Sequence, residues 1–395
     1  MLPVIVTPGT TRENWPLRRQ ALLELFQTYE FGRRPELPFQ VDAELTGVSP
    51  ALDGAARREM YQVTVRTCRG AVSLEMALVL PRSTSPVPTV LLLSNHDRVP
   101  APAAPPDVQA LETLMRNAPG DWVEQTKKLF AGMAGSPGPE PLDISQDDHT
   151  GYWAVDEIVA SGRAAAAFYA SQAQADDRTR FPSGLTALFS DPAAPRPDDG
   201  WGALGVWAFA ARCMVDVLER HPLVDASKIS LAGHSRGGKA ALWCAAQDDR
   251  IRAVLVNNSG CSGAALSRGK KGEVVASITA MFPHWFCPNY RRFGWREEEM
   301  PFDQHMLIAA VAPRLCCVTS GSLDQWSDPD AEWQGALAAG AAWKLFGLPA
   351  LAGPRPGPGE TAYSGPIAYH TRRGGHDLTA WDWKNFMRFL DLQGG

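Results

Sequence analysis

One short stretch of the chain combines a serine with neighbours that could do chemistry. Residues 233–237 read Gly-His-Ser-Arg-Gly, a Gly-x-Ser-x-Gly pattern between the apolar run KISLAG and the helix-like run GGKAALWCAA. In a nucleophile elbow, a strand ends at a sharp turn that carries the serine, and a helix begins directly after it. The flanking glycines leave room for that strained backbone. We therefore predict that Ser235 is a nucleophile, with the fixed charge of Arg236 beside it.

A serine nucleophile needs a histidine base, and in chains with this elbow the acid and then the histidine follow the serine. Three of the eight histidines, His305, His370 and His376, lie in the right region. His305 falls in a helical pattern and His370 inside a predicted strand. His376 follows the end of that strand and precedes a helix, so we expect His376 to be the base.

Three aspartates that follow the apolar run RLCCVTSG compete for the role of orienting acid. Asp324 comes first after the predicted strand, which is the usual station of this carboxylate. Asp328 precedes a proline and could instead cap a turn or a helix, and Asp330 comes two residues later. We predict that Asp324 holds His376 in the correct tautomer and stabilises its protonated form, with Asp328 as the main alternative.

An alternation of strand and helix patterns must position these residues. From about residue 151, apolar runs typical of buried strands alternate with helical patterns, which predicts right-handed crossovers and a mostly parallel sheet. Before them, REMYQVTVRT and AVSLEMALVLP predict a hairpin, and VPTVLLLSN predicts a strand covered on both faces. The predicted fold is a single α/β domain over 1–395, a three-layer sandwich. It has an N-terminal helical arm (1–50) and an insertion or lid-like segment (99–150) at the active-site edge.

Composition narrows the class of protein. The 395 residues are 45% apolar and 21% charged, as in ordinary soluble globular proteins. A net charge of -5 weighs against nucleic acid or an anionic membrane as a partner. No apolar run is long enough to span a membrane. No CxxC pair or HExxH motif occurs, so we expect neither a metal nor a cofactor.

The beginning of the chain and its cysteines carry expectations about location. The N-terminus lacks the basic and apolar regions of a signal peptide, and the seven cysteines do not form a disulfide framework. We expect a cytoplasmic monomer, with a secreted or periplasmic protein whose leader has been removed as the alternative.

Several motifs together resemble those of one enzyme family. They are GHSRGGKAALW, NNSGCSGAALSRGKKGE, FPHWFC, PFDQHMLIAAVAPR, LDQWSDPDAE and YHTRRGGHDLTAWDW. The chain resembles the bacterial glucuronoyl esterases, carbohydrate esterase family 15 of the α/β-hydrolase superfamily, from about residue 150 to its end. The resemblance implies a serine esterase that hydrolyses esters of (4-O-methyl-)glucuronic acid, such as lignin–carbohydrate ester links in lignocellulose, through an acyl-enzyme.

The resemblance also implies roles for individual residues. It implies that Ser235 is the nucleophile, that His376 is the base and that Arg236 helps to neutralise the oxyanion. Three further residues match positions that hold the hydroxyls and the ring of the glucuronate: Lys239, Glu273 and Trp326.

Two positions depart from the family pattern. Many members carry Cys before the serine, where this chain has His234, which we expect to be packed and not catalytic. Several members place the triad acid, as Glu, where this chain has Asn258. An amide cannot supply that negative charge, which favours Asp324. The alternatives are an esterase for acetylated sugars or other small acyl esters on the same fold, or a carbohydrate-binding pseudoenzyme.

Overall fold

A computed structural model describes residues 1–98, 107–133, 140–148 and 150–394. In this part of the chain one ten-stranded sheet has the order β1-β2-β3-β5-β4-β6-β7-β8-β10-β9. The strands are β1 (Gln40–Ala51), β2 (Ala56–Thr67), β3 (Gly70–Pro81), β4 (Val87–Ser94), β5 (Ala164–Tyr169), β6 (Val224–His234), β7 (Ile251–Asn257), β8 (Leu315–Gly321), β9 (Glu360–Ser364) and β10 (Ile367–Arg372).

The centre of the sheet is parallel and its two margins are antiparallel. Neighbours from β5 through β4, β6, β7 and β8 to β10 pair in parallel. At the margins, β1, β2 and β3 form an antiparallel meander that joins β5, and β9 pairs antiparallel with β10. This is the mostly parallel sheet that the sequence predicts, including the hairpin β2–β3.

The helices of the described residues cover both faces of the sheet. They are α1 (Trp15–Tyr29), α2 (Val108–Asn117), α3 (Gly120–Met133), α4 (Val155–Ala160), α5 (Ala170–Ala173), α6 (Gly184–Phe189), α7 (Ala203–Leu218), α8 (Arg236–Gln247), α9 (Val275–Met281), α10 (Gln304–Ala309), α11 (Pro329–Leu345) and α12 (Ala380–Leu392). Successive side chains of a strand point to opposite faces. Leu91 and Leu93 of β4 therefore enter the core beneath α7 and α8, and Val90 and Leu92 enter the core beneath α4 and α12.

Part of the predicted N-terminal arm is not helical, which corrects that prediction. Within residues 1–50, α1 forms a helix, but residues 40–50 belong to β1 at the edge of the sheet. Most side chains of β1 are exposed. An edge strand without a buried face shows no strict alternation of apolar and polar residues. The sequence pattern therefore does not predict this strand.

The predicted insertion, 99–150, lies partly outside the described residues, namely at 99–106, 134–139 and 149. Its described part contains two helices, α2 and α3, where the sequence predicts one amphipathic piece at α3. Leu114 of α2 and Trp122 of α3 pack against Val274, and Trp326 lies beside this small apolar cluster. The segment therefore contacts the chain next to two predicted sugar-binding positions.

None of the described helices is long and apolar enough to cross a membrane.

Candidate active site

The turn that carries Ser235 is a strained elbow between β6 and α8. Ser235 has φ 55° and ψ -127°, in the left-handed half of backbone space that L-residues avoid. Its neighbours must be small: a Cβ on Gly233 would lie 2.2 Å from the carbonyl oxygen of Gly237, and a Cβ on Gly237 would lie 2.9 Å from that of Leu93. The strain projects the serine hydroxyl from the end of the central strand, ahead of the first turn of α8.

Three side chains from three separate segments form one hydrogen-bonded chain at this elbow. Ser235 Oγ lies 2.8 Å from His376 Nε2. His376 Nδ1 lies 2.7 Å from Asp324 Oδ2. Asp324 follows β8 and His376 follows β10, so the carboxyl ends of three parallel strands supply the three groups. The arrangement can deprotonate the serine and stabilise the resulting imidazolium.

The surroundings of Asp324 keep it ionised. Burial alone would raise the pKa of this carboxyl, but the hydrogen bond and charge of His376, with further hydrogen bonds, hold its pKa well below the usual range. Asp324 Oδ2 also accepts a hydrogen bond from Asn258 Nδ2 at 2.6 Å. Asn258, where the resemblance implies an acid in several family members, is therefore a hydrogen-bond donor to Asp324.

The other aspartates and histidines that the sequence left open have different partners. Asp328 caps α11 by accepting from Ala331 N at 3.1 Å, and Asp330 pairs with Arg355. His370 is buried and bonds Asp382, and His305 Nε2 lies 2.9 Å from the carbonyl oxygen of Pro3. The structure brings Asp324 and His376 to Ser235, and it does not bring Asp328, Asp330, His305 or His370 there.

Arg236 is fixed beside the elbow by a carboxylate from another loop. Its Nε lies 2.7 Å from Asp176 Oδ2, and its Nη2 donates to the carbonyl oxygen of Asn95 at 3.3 Å. Asp176 is itself held by His284 Nε2 at 2.9 Å and by the indole N–H of Trp285 at 2.6 Å. The guanidinium thus has a fixed position, and the backbone N–H of Arg236, the first in α8, has no partner within the helix.

The three predicted sugar-binding residues are connected to the elbow and to one another. Lys239 lies one helical turn after the nucleophile, because its backbone N–H donates to the carbonyl oxygen of Ser235 at 3.1 Å. Lys239 Nζ lies 3.7 Å from Glu273 Oε2 and donates to the carbonyl oxygen of Ser259 at 2.5 Å. The backbone N–H of Glu273 donates to Trp326 O at 3.0 Å, so contacts link the three residues in sequence.

His234, which departs from the family pattern, packs against the base. The two imidazole centroids of His234 and His376 lie 4.6 Å apart. His234 Nδ1 lies 2.6 Å from Asn257 Oδ1, and Asn257 Nδ2 donates to Thr319 Oγ1 at 2.7 Å. Burial, followed by the charge of His376, lowers the pKa of His234 well below its usual range. His234 is therefore a neutral packed side chain.

The sequence did not predict the contacts of several residues that organise the site. Asp176 and Asn258 come from loops, and Glu332 lies buried in the first turn of α11, where it bonds Ser259, Gly260 and Ser320. Their partners are more than ten residues away along the chain, so neither periodicity nor motif spacing could identify them. Within the described residues, no group of three or more His, Cys, Asp or Glu side chains is arranged to hold a metal ion.

A parallel-centred sheet, a strained serine elbow and a Ser–His–Asp chain define an α/β-hydrolase with a serine-type active site. The family model described as "Glucuronyl esterase, fungi" matches residues 159–347. A carbohydrate esterase from an unknown prokaryotic organism is 32% identical over 401 residues, which cover 98% of this chain and 88% of that protein. The solved glucuronoyl esterase from Solibacter usitatus superimposes with a TM-score of 0.83 and 31% identity, over 100% of this chain and 98% of that one.

A fungal relative shares a smaller part of the chain. The 4-O-methyl-glucuronoyl methylesterase of Hypocrea jecorina is 31% identical over 157 residues, which are 37% of this chain and 34% of that protein. The full-length matches establish the family. This chain belongs to the glucuronoyl esterases of carbohydrate esterase family 15, and it is a carboxylic ester hydrolase.

Proposed function

We propose that this enzyme hydrolyses esters of glucuronic acid and its 4-O-methyl ether through an acyl-enzyme on Ser235. One observation carries the proposal: the Ser235–His376–Asp324 chain lies one helical turn from the buried Lys239–Glu273 pair. The first group of residues breaks an ester, and the second can donate to and accept from sugar hydroxyls. The names of the relatives, glucuronoyl esterase and 4-O-methyl-glucuronoyl methylesterase, support the same substrate class.

Acylation begins when His376 Nε2 takes the proton of Ser235 Oγ as the oxygen attacks the ester carbonyl. The 2.8 Å separation allows that transfer, and Asp324, 2.7 Å from Nδ1, stabilises the imidazolium that forms. The imidazolium then protonates the departing alcohol oxygen. Water, activated by the same nitrogen, hydrolyses the acyl-enzyme and releases the uronate.

The tetrahedral intermediate carries a negative oxygen that Arg236 is placed to stabilise. The backbone N–H of Arg236 supplies one donor and its guanidinium a second, permanently charged one. A fixed donor of this kind is worth about 3 to 4 kcal/mol of activation free energy. Because Asp176 holds the guanidinium at 2.7 Å, the charge is in position before the substrate binds.

On the sugar side, Lys239 and Glu273 contribute hydrogen bonds and Trp326 an apolar face. Lys239 is 4% exposed and Glu273 is 7% exposed, so a bound hydroxyl would meet both groups away from bulk water. Hydrogen bonds to charged groups contribute about 1.5–3 kcal/mol each. These hydrogen bonds would favour a uronate ester, whereas a simple acetate would form no hydrogen bonds with Lys239 and Glu273.

The test compares kcat/KM for methyl or benzyl glucuronate with that for p-nitrophenyl acetate. We expect a preference for the glucuronate esters of at least about tenfold, the equivalent of one such hydrogen bond. A preference for the acetate would favour the alternative of a general or acetyl-sugar esterase. Ser235→Ala should abolish turnover while methyl glucuronate still binds by calorimetry, and unchanged turnover would refute the mechanism.

A further inference from the structure

Glu332 is a carboxylate buried beneath the active site whose hydrogen-bond donors are all neutral. It is 0% exposed. Its Oε1 accepts from Ser259 Oγ at 3.1 Å and from the backbone N–H of Gly260 at 2.9 Å, and its Oε2 accepts from Ser320 Oγ at 2.5 Å. In the part of the chain that the structure describes, no cation forms an ion pair with it. An acidic side chain buried with only neutral partners costs stability, so its presence points to another role.

The segment that Glu332 holds is a strained turn after β7. Asn258, Gly260 and Ser262 have φ values of 44°, 53° and 61°, and two of these residues are not glycine. Each non-glycine residue in this region costs of order 1–3 kcal/mol and persists only where its surroundings impose it. Glu332 binds Ser259 and Gly260 in the middle of the turn, so its carboxylate is one of the contacts that impose the shape.

This turn contacts both halves of the active site. Toward the triad, Asn258 Nδ2 donates to Asp324 Oδ2 at 2.6 Å. Toward the predicted sugar-binding residues, the carbonyl oxygen of Ser259 accepts from Lys239 Nζ at 2.5 Å. A shift of the turn would therefore move the partner of the acid and the partner of the lysine together.

We propose that Glu332 is a positioning residue: by holding the turn 258–262 it sets Asp324 for catalysis and Lys239 for sugar binding at once. The lysine half of this inference rests on the proposed function, because it requires a substrate with sugar hydroxyls. Glu332 reaches no substrate atom itself and acts through Asn258 and Ser259.

The hydrogen bonds of Glu332 depend on the geometry of its side chain and not on a negative charge. Burial raises the pKa of Glu332 to about 7, against the hydrogen bonds from Ser320 and Gly260. A glutamine can accept the same two donors at one oxygen and donate its NH₂ to Ser320 Oγ, which can in turn donate to Tyr369 Oη at 2.6 Å. The titratable groups that face Glu332 are Asp324, Lys270 and Tyr369. Glu332→Gln is thus a conservative variant, and Glu332→Ala removes all three bonds.

The experiment measures kcat and KM of Glu332→Ala and Glu332→Gln on methyl glucuronate and on p-nitrophenyl acetate, below the unfolding temperature of each variant. For Glu332→Ala we expect kcat to fall about tenfold or more on both esters, since the turn loses the three hydrogen bonds that keep Asn258 against Asp324. We expect KM to rise about fivefold for the glucuronate alone. Glu332→Gln should restore each constant to within about threefold of the wild-type value.

A matched control is Asp248→Ala. Asp248 is a buried carboxylate that caps the opposite end of α8 and pairs with Arg250 at 2.6 Å. Its loss should lower the unfolding temperature and leave both KM values within about twofold, because α8 separates it from the elbow by about 18 Å. Wild-type kcat and KM in Glu332→Ala, or a KM change shared by both esters, would overturn the inference.

If Glu332→Ala does not fold, Ser259→Ala provides the test, because it removes one of the three bonds to Glu332, together with the bond that Ser259 Oγ accepts from Ala264 N at 2.8 Å. The same pattern at smaller amplitude supports the inference, and unchanged constants overturn it. A wild-type enzyme inactive on methyl glucuronate would refute the proposed function instead. An active wild type with an unaffected Glu332→Ala variant would refute only the role of Glu332.

Discussion

Exchanging aspartate for asparagine at position 324 tests the assignment of the triad acid. Asp324 Oδ2 faces His376 Nδ1 at 2.7 Å and Asn258 Nδ2 at 2.6 Å, and both are donors in the active tautomer. In Asp324→Asn the side chain can present its oxygen there, but without charge. If it presents its NH₂ instead, His376 Nδ1 must become an acceptor, and Nε2–H then points at Ser235. Either orientation weakens the base.

The size of the effect follows from these contacts. The imidazolium that forms at His376 loses a buried carboxylate that is 2% exposed, and the wrong tautomer cannot accept the serine proton at all. Changes of this kind in serine hydrolases cost about 10⁴-fold in kcat, or about 5 kcal/mol. We therefore expect kcat of Asp324→Asn on methyl glucuronate to fall by about 10³- to 10⁴-fold, as measured by steady-state hydrolysis.

The same exchange at position 328 is the control. Asp328 accepts from Ala331 N and from Lys271 N at 2.8 Å, and its φ is 62°. Asparagine caps helices as well as aspartate does and tolerates left-handed backbone. Its single oxygen keeps the bond from Ala331 N and gives up the bond from Lys271 N, which contacts no triad residue, so Asp328→Asn should keep kcat within about threefold. If Asp324→Asn retains more than a tenth of the activity, or Asp328→Asn loses as much, the assignment is wrong.

Three further predictions concern the supporting residues. Asp176→Asn should lower kcat about tenfold to a hundredfold with little change in KM, because Arg236 loses the carboxylate that fixes it; steady-state kinetics on methyl glucuronate measure this. Trp122→Phe removes the indole N–H that donates to Gly272 O at 2.9 Å, next to the predicted sugar-binding residue Glu273. It should raise KM about threefold for the glucuronate and not for p-nitrophenyl acetate. Because the pKa of Glu332 is raised to about 7, the folded protein keeps a proton that the unfolded chain loses near pH 4.3. The contribution of Glu332 to stability therefore falls by about 3 kcal/mol as pH rises through this window. Glu332→Gln does not titrate, so denaturant unfolding should show its stability relative to the wild type increasing by about that amount from pH 4.5 to pH 8, and a pH-independent difference would contradict this reasoning.

The central strands could be predicted from the sequence because both of their faces are buried. Residues 87–95 form an apolar run, and β4 lies within it with the side chains of both faces packed. The edges of the sheet gave a weaker signal. β1 exposes most of its side chains and β9 has only five residues, with none fully buried, so neither shows a pattern that stands out from a loop.

The residues of the active site also differ in how strongly the sequence predicts them. Ser235 could be located because the elbow needs a local motif, and His376 because it follows a recognisable strand. Position after the strand favoured Asp324 but left Asp328 as an alternative, since both follow β8 within a few residues. It depends on the left-handed backbone at Asp328, which turns that side chain onto α11 as a cap. Contacts such as Asn258 to Asp324, 66 residues apart, exist only in the folded chain.

Arg236 and Asp176 together meet two demands that oppose each other. A fixed cation beside the elbow stabilises the oxyanion, but the product is an anionic uronate, which a bare guanidinium would retain. The Asp176 carboxylate, 2.7 Å from Nε and 24% exposed, offsets part of that positive charge at the distance of the product. In the proposed mechanism the oxyanion and the product carboxylate form on the same carbon, so both meet the reduced field of the pair, while the fixed N–H donors of Arg236 remain available to the oxyanion. Compared with a lone arginine at this position, the ion pair keeps the donors in place and weakens the attraction for an anionic product.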